Sequence, residues 1–336
     1  MEILKKQDKI AVLGDGGWGT TLAIHLHKKG YDVTLWGAFD NYIAYLKKNR
    51  INTRFLPDVK IPKDLNISSD IKDTLSDKDA VVLAIPSQYM RRILRKARRY
   101  IDCRNSILVS VTKGIENKTL MRMSELIHDE LGRVRLGVLS GPTIAHEVAK
   151  GMPTTAVVAS SCNETRHYLQ NIFISDRFRI YANDDVIGVE LGGSLKNIIA
   201  IACGISDGLG FGTNTKAALL SRGLVEISRL GVALGAKAHT FSGISGLGDL
   251  VTTCISPYSR NRYVGERIGK GKKLKQVIAH MQMIAEGVPT AKSAYELSIK
   301  HKVDMPITRE VYAVLYKNKT PLQAVQDLMT REKKTE

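Results

Sequence analysis

Lys9-Ile-Ala-Val-Leu13 runs without a break into Gly14-Asp15-Gly16-Gly17-Trp18-Gly19 and then into Thr20-Thr-Leu-Ala-Ile-His-Leu-His-Lys28. A lone G-x-G-x-x-G says little. Here an apolar strand precedes it, a helical run follows it and a second strand reads at Asp32–Leu35, which is the context of a dinucleotide-binding turn. Gly14 would allow the tight turn, Gly16 the close approach of main chain to a pyrophosphate, and Gly19 the packing of helix on strand. The start of the helix offers unpaired N–H groups and a positive dipole end to phosphate oxygens.

Outward from this turn, short β-branched runs alternate with longer helical patterns, as βαβ units with a parallel sheet do. The runs are Ile10–Leu13, Asp32–Leu35, Ala80–Ile85, Ile107–Val111, Leu136–Leu139, Thr155–Ala159 and Phe178–Tyr181. Most are apolar on both faces, as strands covered by helices on each side are. After about Asp185 the strand signal disappears. Leu220, Leu224, Ile227 and Leu234 then share one helical face, and Thr290–Lys300 and Arg309–Lys317 repeat the amphipathic pattern. The predicted fold is α/β, an N-terminal Rossmann-like doubly wound sheet followed by an all-α C-terminal domain. Residues 1–190 are expected to bind the dinucleotide and residues 191–336 the substrate.

The 336 residues carry a formal net charge of +17, which attracts anions such as nucleotides and phosphorylated metabolites. A lysine-rich solvated surface accounts for the same charge equally well. The densest basic run, Arg91-Arg92-Ile-Leu-Arg95-Lys96-Ala-Arg98-Arg99, reads as one helix with Ile93, Leu94 and Ala97 inward. No aromatic ladder accompanies it, which argues against single-stranded nucleic acid; peripheral contact with an acidic membrane surface stays open. Cys103, Cys162, Cys203 and Cys254 form no C-x-x-C pair, so neither a metal site nor a disulfide framework is expected. Met1–Lys9 is too short and charged for a secretory leader, and the most apolar stretch, Val186–Ile205, is broken by Glu190 and Lys196, which are costly at a bilayer centre. A cytoplasmic protein is expected.

An acid at the end of the second strand would hold the ribose hydroxyls of NAD, and an arginine there would receive the 2′-phosphate of NADP. Trp36-Gly37-Ala38-Phe39-Asp40 offers neither at the expected place. Asp40, slightly downstream, favours NAD; Arg50 or Arg54 would serve NADP. The balance tips to NAD.

Reducing a ketone by hydride transfer calls for a group that protonates the forming alkoxide. Lys113 directly follows the strand Ile107–Val111 and Thr112, where such groups lie in open α/β sheets. Lys196 sits in an apolar helix that begins near Gly188, and burial is expected to tune its ammonium for proton transfer. Gly192 and Gly193 cost helix propensity there, which predicts close main-chain packing. In Pro257-Tyr-Ser-Arg-Asn-Arg262, Ser259 reads as the N-cap of a helix whose first residue, Arg260, has fork-shaped donors suited to phosphate. Upstream, Gly243-Ile-Ser-Gly-Leu-Gly-Asp249 leads to a single carboxylate able to hold a lysine or a substrate hydroxyl.

Together these segments resemble the NAD(P)-dependent glycerol-3-phosphate dehydrogenase family over nearly the whole chain. The likeness is carried by Gly14–Gly19, Asn52-Thr-Arg-Phe-Leu-Pro57, Thr112-Lys-Gly114, Leu139-Ser-Gly-Pro-Thr143, Glu190–Asn197, Gly246-Leu-Gly-Asp-Leu250, Ser259-Arg-Asn261 and Ala285-Glu-Gly287. The resemblance implies interconversion of dihydroxyacetone phosphate and sn-glycerol 3-phosphate, which supplies phospholipid backbones, and a homodimer is expected. It makes Lys196 the general acid/base, with Lys113 and Asp249 completing the polar centre. It assigns substrate contacts to Gly141, Thr143, Ser259, Arg260 and Asn261, with Asn197 and Thr253 at positions that related members use. Cofactor contacts fall on Gly14, Gly16, Gly17, Trp18, Gly19, Lys113, Ala145, Arg260 and Glu286. Two departures stand out: Gly17 replaces a serine common in bacterial members, and Ala38 a residue that is basic in many. The 6-phosphogluconate and β-hydroxyacid dehydrogenases also pair a nucleotide domain with a lysine-bearing helix. They give no reason for Ser259-Arg-Asn261 and Gly246-Leu-Gly-Asp249 together.

Overall fold

A computed structural model describes residues 8–333. Most of Met1–Lys9, read above as too charged for a leader, lies outside that range. The strands are β1 (Lys9–Leu13), β2 (Asp32–Trp36), β3 (Ile51–Asn52), β4 (Leu56–Lys60), β5 (Asn66–Ser68), β6 (Ala80–Leu83), β7 (Ile107–Ser110), β8 (Arg135–Ser140), β9 (Thr154–Ala159) and β10 (Phe178–Asn183). All seven strands expected from the β-branched runs form. The hairpin β3–β4 and the edge strand β5 were not expected, because they are short and β4 carries Pro57, which argues against a strand in sequence.

Two compact units divide the chain. One runs to Thr112 and resumes over Met123–Val186; the other takes Lys113–Arg122 and everything from Ile187 onward. In the first, eight strands pair in the order β10-β9-β8-β7-β6-β1-β2-β5. The order reverses at β1, which has β2 on one side and β6 on the other. The crevice at the carboxyl end of such a switch point is where open α/β sheets bind ligands. β1 and β6 are fully buried from Ile10 to Leu13 and from Ala80 to Leu83, as strands covered on both faces must be.

The sheet is not parallel throughout. β9 runs antiparallel to β8, and β10 follows β9 in parallel. A parallel crossover needs a helix long enough to lie back along the sheet. Between β8 and β9 there is only the short helix Ala145–Ala149, whose first carbonyl instead accepts a bond from Thr21 Oγ1 of the helix Gly17–Lys28 at 3.1 Å. The chain therefore returns in the opposite direction.

Within this unit the basic run forms the helix Ser87–Ala97, with Ile93, Leu94 and Ala97 buried as expected. Part of its charge is neutralised. Arg91 pairs with Asp129 at 2.5 Å and Glu130 at 2.6 Å, and Arg95 with Glu130 at 3.0 Å. Arg92, Lys96, Arg98 and Arg99 remain exposed.

The second unit is helical. Val186–Gly208 is long and apolar enough to cross a membrane, yet 89% of its most apolar window is buried. Leu191, Leu195, Ile198, Ile199 and Ile201 share its core with Ile227, Leu230, Leu250 and Val264, and Glu190 Oε2 accepts from Arg122 Nη1 at 2.5 Å. The helix packs against Arg260–Gly269 almost main chain to main chain. A Cβ on Gly204 would lie 2.0 Å from the Arg262 carbonyl oxygen and one on Gly208 2.4 Å from that of Glu266; reciprocally, Gly265 would meet the Ile201 oxygen at 2.1 Å and Gly269 that of Ile205 at 2.4 Å. Any side chain at these four positions would push the helices apart.

Candidate active site

The glycine loop is shaped by what its residues lack. Gly14 holds φ at +123°, and a Cβ there would stand 2.4 Å from the Ala84 carbonyl oxygen at the end of neighbouring β6. A Cβ on Gly19 would be 1.9 Å from the Gly14 oxygen, whereas nothing lies within 4 Å of one on Gly16. Gly16 is thus the open position, at the N-cap of the helix Gly17–Lys28, where an anion can reach main chain and the positive helix end. A Cβ on Gly17 would come 2.5 Å from the Phe55 carbonyl oxygen, so any larger residue there would need the turn before β4 to move.

That turn braces the loop. Asn52 is fully buried; its Nδ2 donates to the Asp15 carbonyl and to Thr20 Oγ1, both at 2.7 Å, while its Oδ1 accepts from Tyr42 Oη at 2.7 Å. Nothing local in the Asn52–Pro57 segment marks this bracing role, because the partners Asp15 and Thr20 lie far away in sequence. Trp18 stacks edge-on against Phe178 at 6.3 Å, with its indole Nε1 buried and unpartnered among the described residues. Ala145 lies beside Gly17. Gly141 and Thr143 follow β8, Thr143 Oγ1 donating to the Gly141 carbonyl at 3.1 Å. Among the described residues this unit therefore holds Gly14, Gly16, Gly17, Trp18, Gly19, Gly141, Thr143 and Ala145.

The second unit gathers the charged residues around one carboxylate. Asp249 opens the helix Asp249–Ile255 and is 2% exposed. Its Oδ2 lies 2.7 Å from Lys113 Nζ and its Oδ1 2.8 Å from Lys196 Nζ. Lys196 also donates to Thr253 Oγ1, which sits one helical turn past Asp249 and donates to its carbonyl at 2.7 Å. Gly192 and Gly246 let the elements close in: a Cβ on Gly192 would meet the Ser245 oxygen at 2.7 Å, and one on Gly246 the Phe241 oxygen at 2.1 Å. The glycine-rich approach is a π-helical turn, Ile244–Gly248.

Lys113 reaches this centre because its segment packs with the helices. Asn197 Nδ2 donates to the Lys113 carbonyl at 3.2 Å, and Ser293 Oγ donates to Asn117 Oδ1 at 2.6 Å. Asn261 Nδ2 donates to Asn197 Oδ1 at 2.8 Å and its Oδ1 accepts from the Gly287 N–H at 2.8 Å. Both asparagines are thus engaged within the protein as positioning amides. Burial lowers the Lys113 ammonium to about 8, against the opposing pull of Asp249 and with help from the like charge of Lys196. Desolvation is the dominant cause.

Ser259 caps the helix Arg260–Gly269, its hydroxyl accepting from the Arg262 N–H at 3.2 Å. Arg260 donates to the Ile284 carbonyl at 2.8 Å, close to Glu286, which caps the helix Gly287–Lys300. A phosphate-sized anion at this capped terminus would meet main-chain N–H groups and a guanidinium.

Residues 9–166 match the family described as NAD-dependent glycerol-3-phosphate dehydrogenase N-terminus, and residues 185–326 its C-terminus. This chain belongs to the NAD-dependent glycerol-3-phosphate dehydrogenase family. Family members from Thermoanaerobacter sp. (strain X514) and Chlorobium phaeobacteroides (strain BS1), both named glycerol-3-phosphate dehydrogenase [NAD(P)+], are each 50% identical to it. The first alignment covers 98% of both chains, the second 98% of this chain and 99% of the relative. The crystal structure of glycerol-3-phosphate dehydrogenase from Coxiella burnetii, at 38% identity, superposes with a TM-score of 0.94 over 97% of this chain and 99% of that one.

Proposed function

We infer that the chain interconverts dihydroxyacetone phosphate and sn-glycerol 3-phosphate with NAD(H) or NADP(H), feeding glycerophospholipid synthesis. The observation that carries this reading is Asp249 gripping Lys113 and Lys196 through separate carboxylate oxygens. Two ammonium groups on one buried acid leave a concentrated positive field for a ketone oxygen turning into an alkoxide. Gly14–Gly19, Trp18 and Ala145 of the first unit would hold the dinucleotide. When bound there, the dinucleotide would supply or accept a hydride through its nicotinamide. Lys196, fixed by Asp249 and Thr253, donates the proton to the alkoxide oxygen, and in the reverse direction neutral Lys196 removes it. Lys113 stabilises the developing negative charge. Ser259, Arg260 and the helix terminus they open take the phosphate; Asn197 and Asn261 keep Lys113 and Gly287 in place. The family likeness assigns Gly141 and Thr143 to the substrate and Glu286 to the cofactor.

The setting is cytoplasmic and the working form a homodimer; an acidic membrane would meet Arg92, Lys96, Arg98 and Arg99. The test is to add dihydroxyacetone phosphate to the purified protein with NADH and, in parallel, NADPH. Loss of reduced-nicotinamide absorbance with at least one supports the reading, and no loss with either overturns it.

A further inference from the structure

The second strand ends without an acid, and the structure puts one there from elsewhere. Gly37, the residue after β2, is buried. A Cβ built on it would lie 2.6 Å from Asp15 Cγ and 2.8 Å from Asp15 Oδ2. The carboxyl of the glycine loop, together with Ile43 Cδ1 at 2.5 Å, therefore occupies the space in which the side chain at the strand end would begin. Asp15 is held from behind, its carbonyl accepting from Asn52 Nδ2 at 2.7 Å and Thr20 Oγ1 at 3.2 Å. Its Oδ2 is buried and has no hydrogen-bond partner among the described residues. A buried acceptor left unsatisfied is costly. Burial pushes the Asp15 acid up, opposed by its own backbone N–H and by the charge of Arg54.

In dinucleotide-binding units the acid at the end of the second strand accepts hydrogen bonds from the adenosine ribose hydroxyls. We propose that Asp15 takes over that task in this chain, with its carboxylate accepting from the ribose 2′-hydroxyl, and that it thereby sets a preference for NADH over NADPH. The proposal rests on the dinucleotide reading above and deepens it. A 2′-hydroxyl has a proton for the carboxylate to accept. A 2′-phosphate has none to spare near neutral pH and brings its own negative charge against a poorly solvated carboxylate, where repulsion is weakly screened.

The cations that would favour NADPH are not equal competitors. Arg50 is consumed by the Leu65 and Pro62 carbonyls, at 2.7 and 3.2 Å. Arg54 is exposed and lies over the Tyr42 ring at 4.4 Å; its charge reaches Asp15, so it is the group able to soften the discrimination. Asp40, the other NAD-side candidate, is exposed at the start of the helix Asp40–Asn49 and carries no such unpaired buried oxygen.

The experiment is calorimetric titration of the purified protein with NADH and NADPH, and with ADP-ribose and its 2′-phosphate, for the wild type and for Asp15→Asn, Asp15→Ala and Asp40→Asn. The wild type is expected to bind the 2′-hydroxyl member of each pair about tenfold or more tighter, and Asp15→Asn to shrink that ratio by about tenfold, chiefly by admitting the 2′-phosphate. Asp40→Asn should leave the ratio unchanged. Equal binding of each pair by the wild type, an unchanged ratio in both Asp15 variants, or a ratio moved by Asp40→Asn instead would each overturn the proposal. If neither Asp15 variant folds, the wild-type ratios decide it. Failure of the wild type to bind any of the four ligands would instead overturn the dinucleotide reading itself.

Discussion

In the glycine loop the surface offered to a ligand is main chain, cleared of side chains; around Asp249 it is charge carried at the ends of side chains. The first region is fixed by steric exclusion, with Gly14, Gly17 and Gly19 each pressed against a carbonyl oxygen. The second is fixed by electrostatics, two lysines sharing one buried acid. Substitutions in the two should fail differently: in the loop through folding and affinity, in the centre through rate and pH.

The sharpest contrast comes from Lys196→Met. Turnover should fall by roughly 10²–10⁴-fold, the span of a lost general acid/base, while dinucleotide affinity stays as it was. Steady-state kinetics beside a cofactor titration check it, and near-normal turnover would remove Lys196 from the reaction.

The reasons for this contrast were unevenly legible in the sequence. β1, β6 and the glycine turn declare themselves locally, because apolar runs and a turn signal need no distant partner. The reversal of β9 depends on the short helix Ala145–Ala149 docking on the first helix, a tertiary event with no local mark. Lys113, Lys196 and Asp249 could be named singly from strand ends, an apolar helix and a glycine-rich approach. That one carboxylate holds both lysines, across 136 residues in the case of Lys113, is a property of packing alone. The same is true of Asp15, which reads as the variable residue between two glycines until Gly37 is seen beneath it.

Gly19→Val is the next largest test. A side chain meeting the Gly14 oxygen should cost about 1–3 kcal/mol or more, as overpacking does. For a chain of this size that is a fall of very roughly 2–4 °C in Tm per kcal/mol. An unchanged Tm would show that the loop is not sterically fixed. Gly16→Ala sharpens the point, because its Cβ meets nothing. Thermal unfolding should be unchanged, and dinucleotide affinity should drop by about tenfold, or 1.4 kcal/mol. A parallel loss of Tm would mean that Gly16 is structural like its neighbours.

The last contrast concerns Lys113. Its ammonium is lowered to about 8 by burial, so between there and the ordinary lysine value the unfolded chain binds more protons than the folded one. Stability against unfolding should therefore gain as pH rises through that window and lose it again as pH falls through about 8, with a slope of at most about 1.4 kcal/mol per pH unit. Denaturant titrations across the window should show the gain in the wild type and its absence in Lys113→Met. Equal slopes would place the titration elsewhere.

The four glycines that join Val186–Gly208 to Arg260–Gly269 have a consequence for substrate length. One helix carries Lys196, the proposed proton donor, and the other begins with Arg260, the proposed phosphate anchor; their spacing is set by main-chain contact at Gly204, Gly208, Gly265 and Gly269. The two helices act as a ruler with no adjustable joint. Trimming side chains around the centre would widen the space for a longer phosphorylated ketone without moving either end of the scale. Re-gauging the enzyme for a different chain length would have to begin at the glycines, far from the reacting atoms.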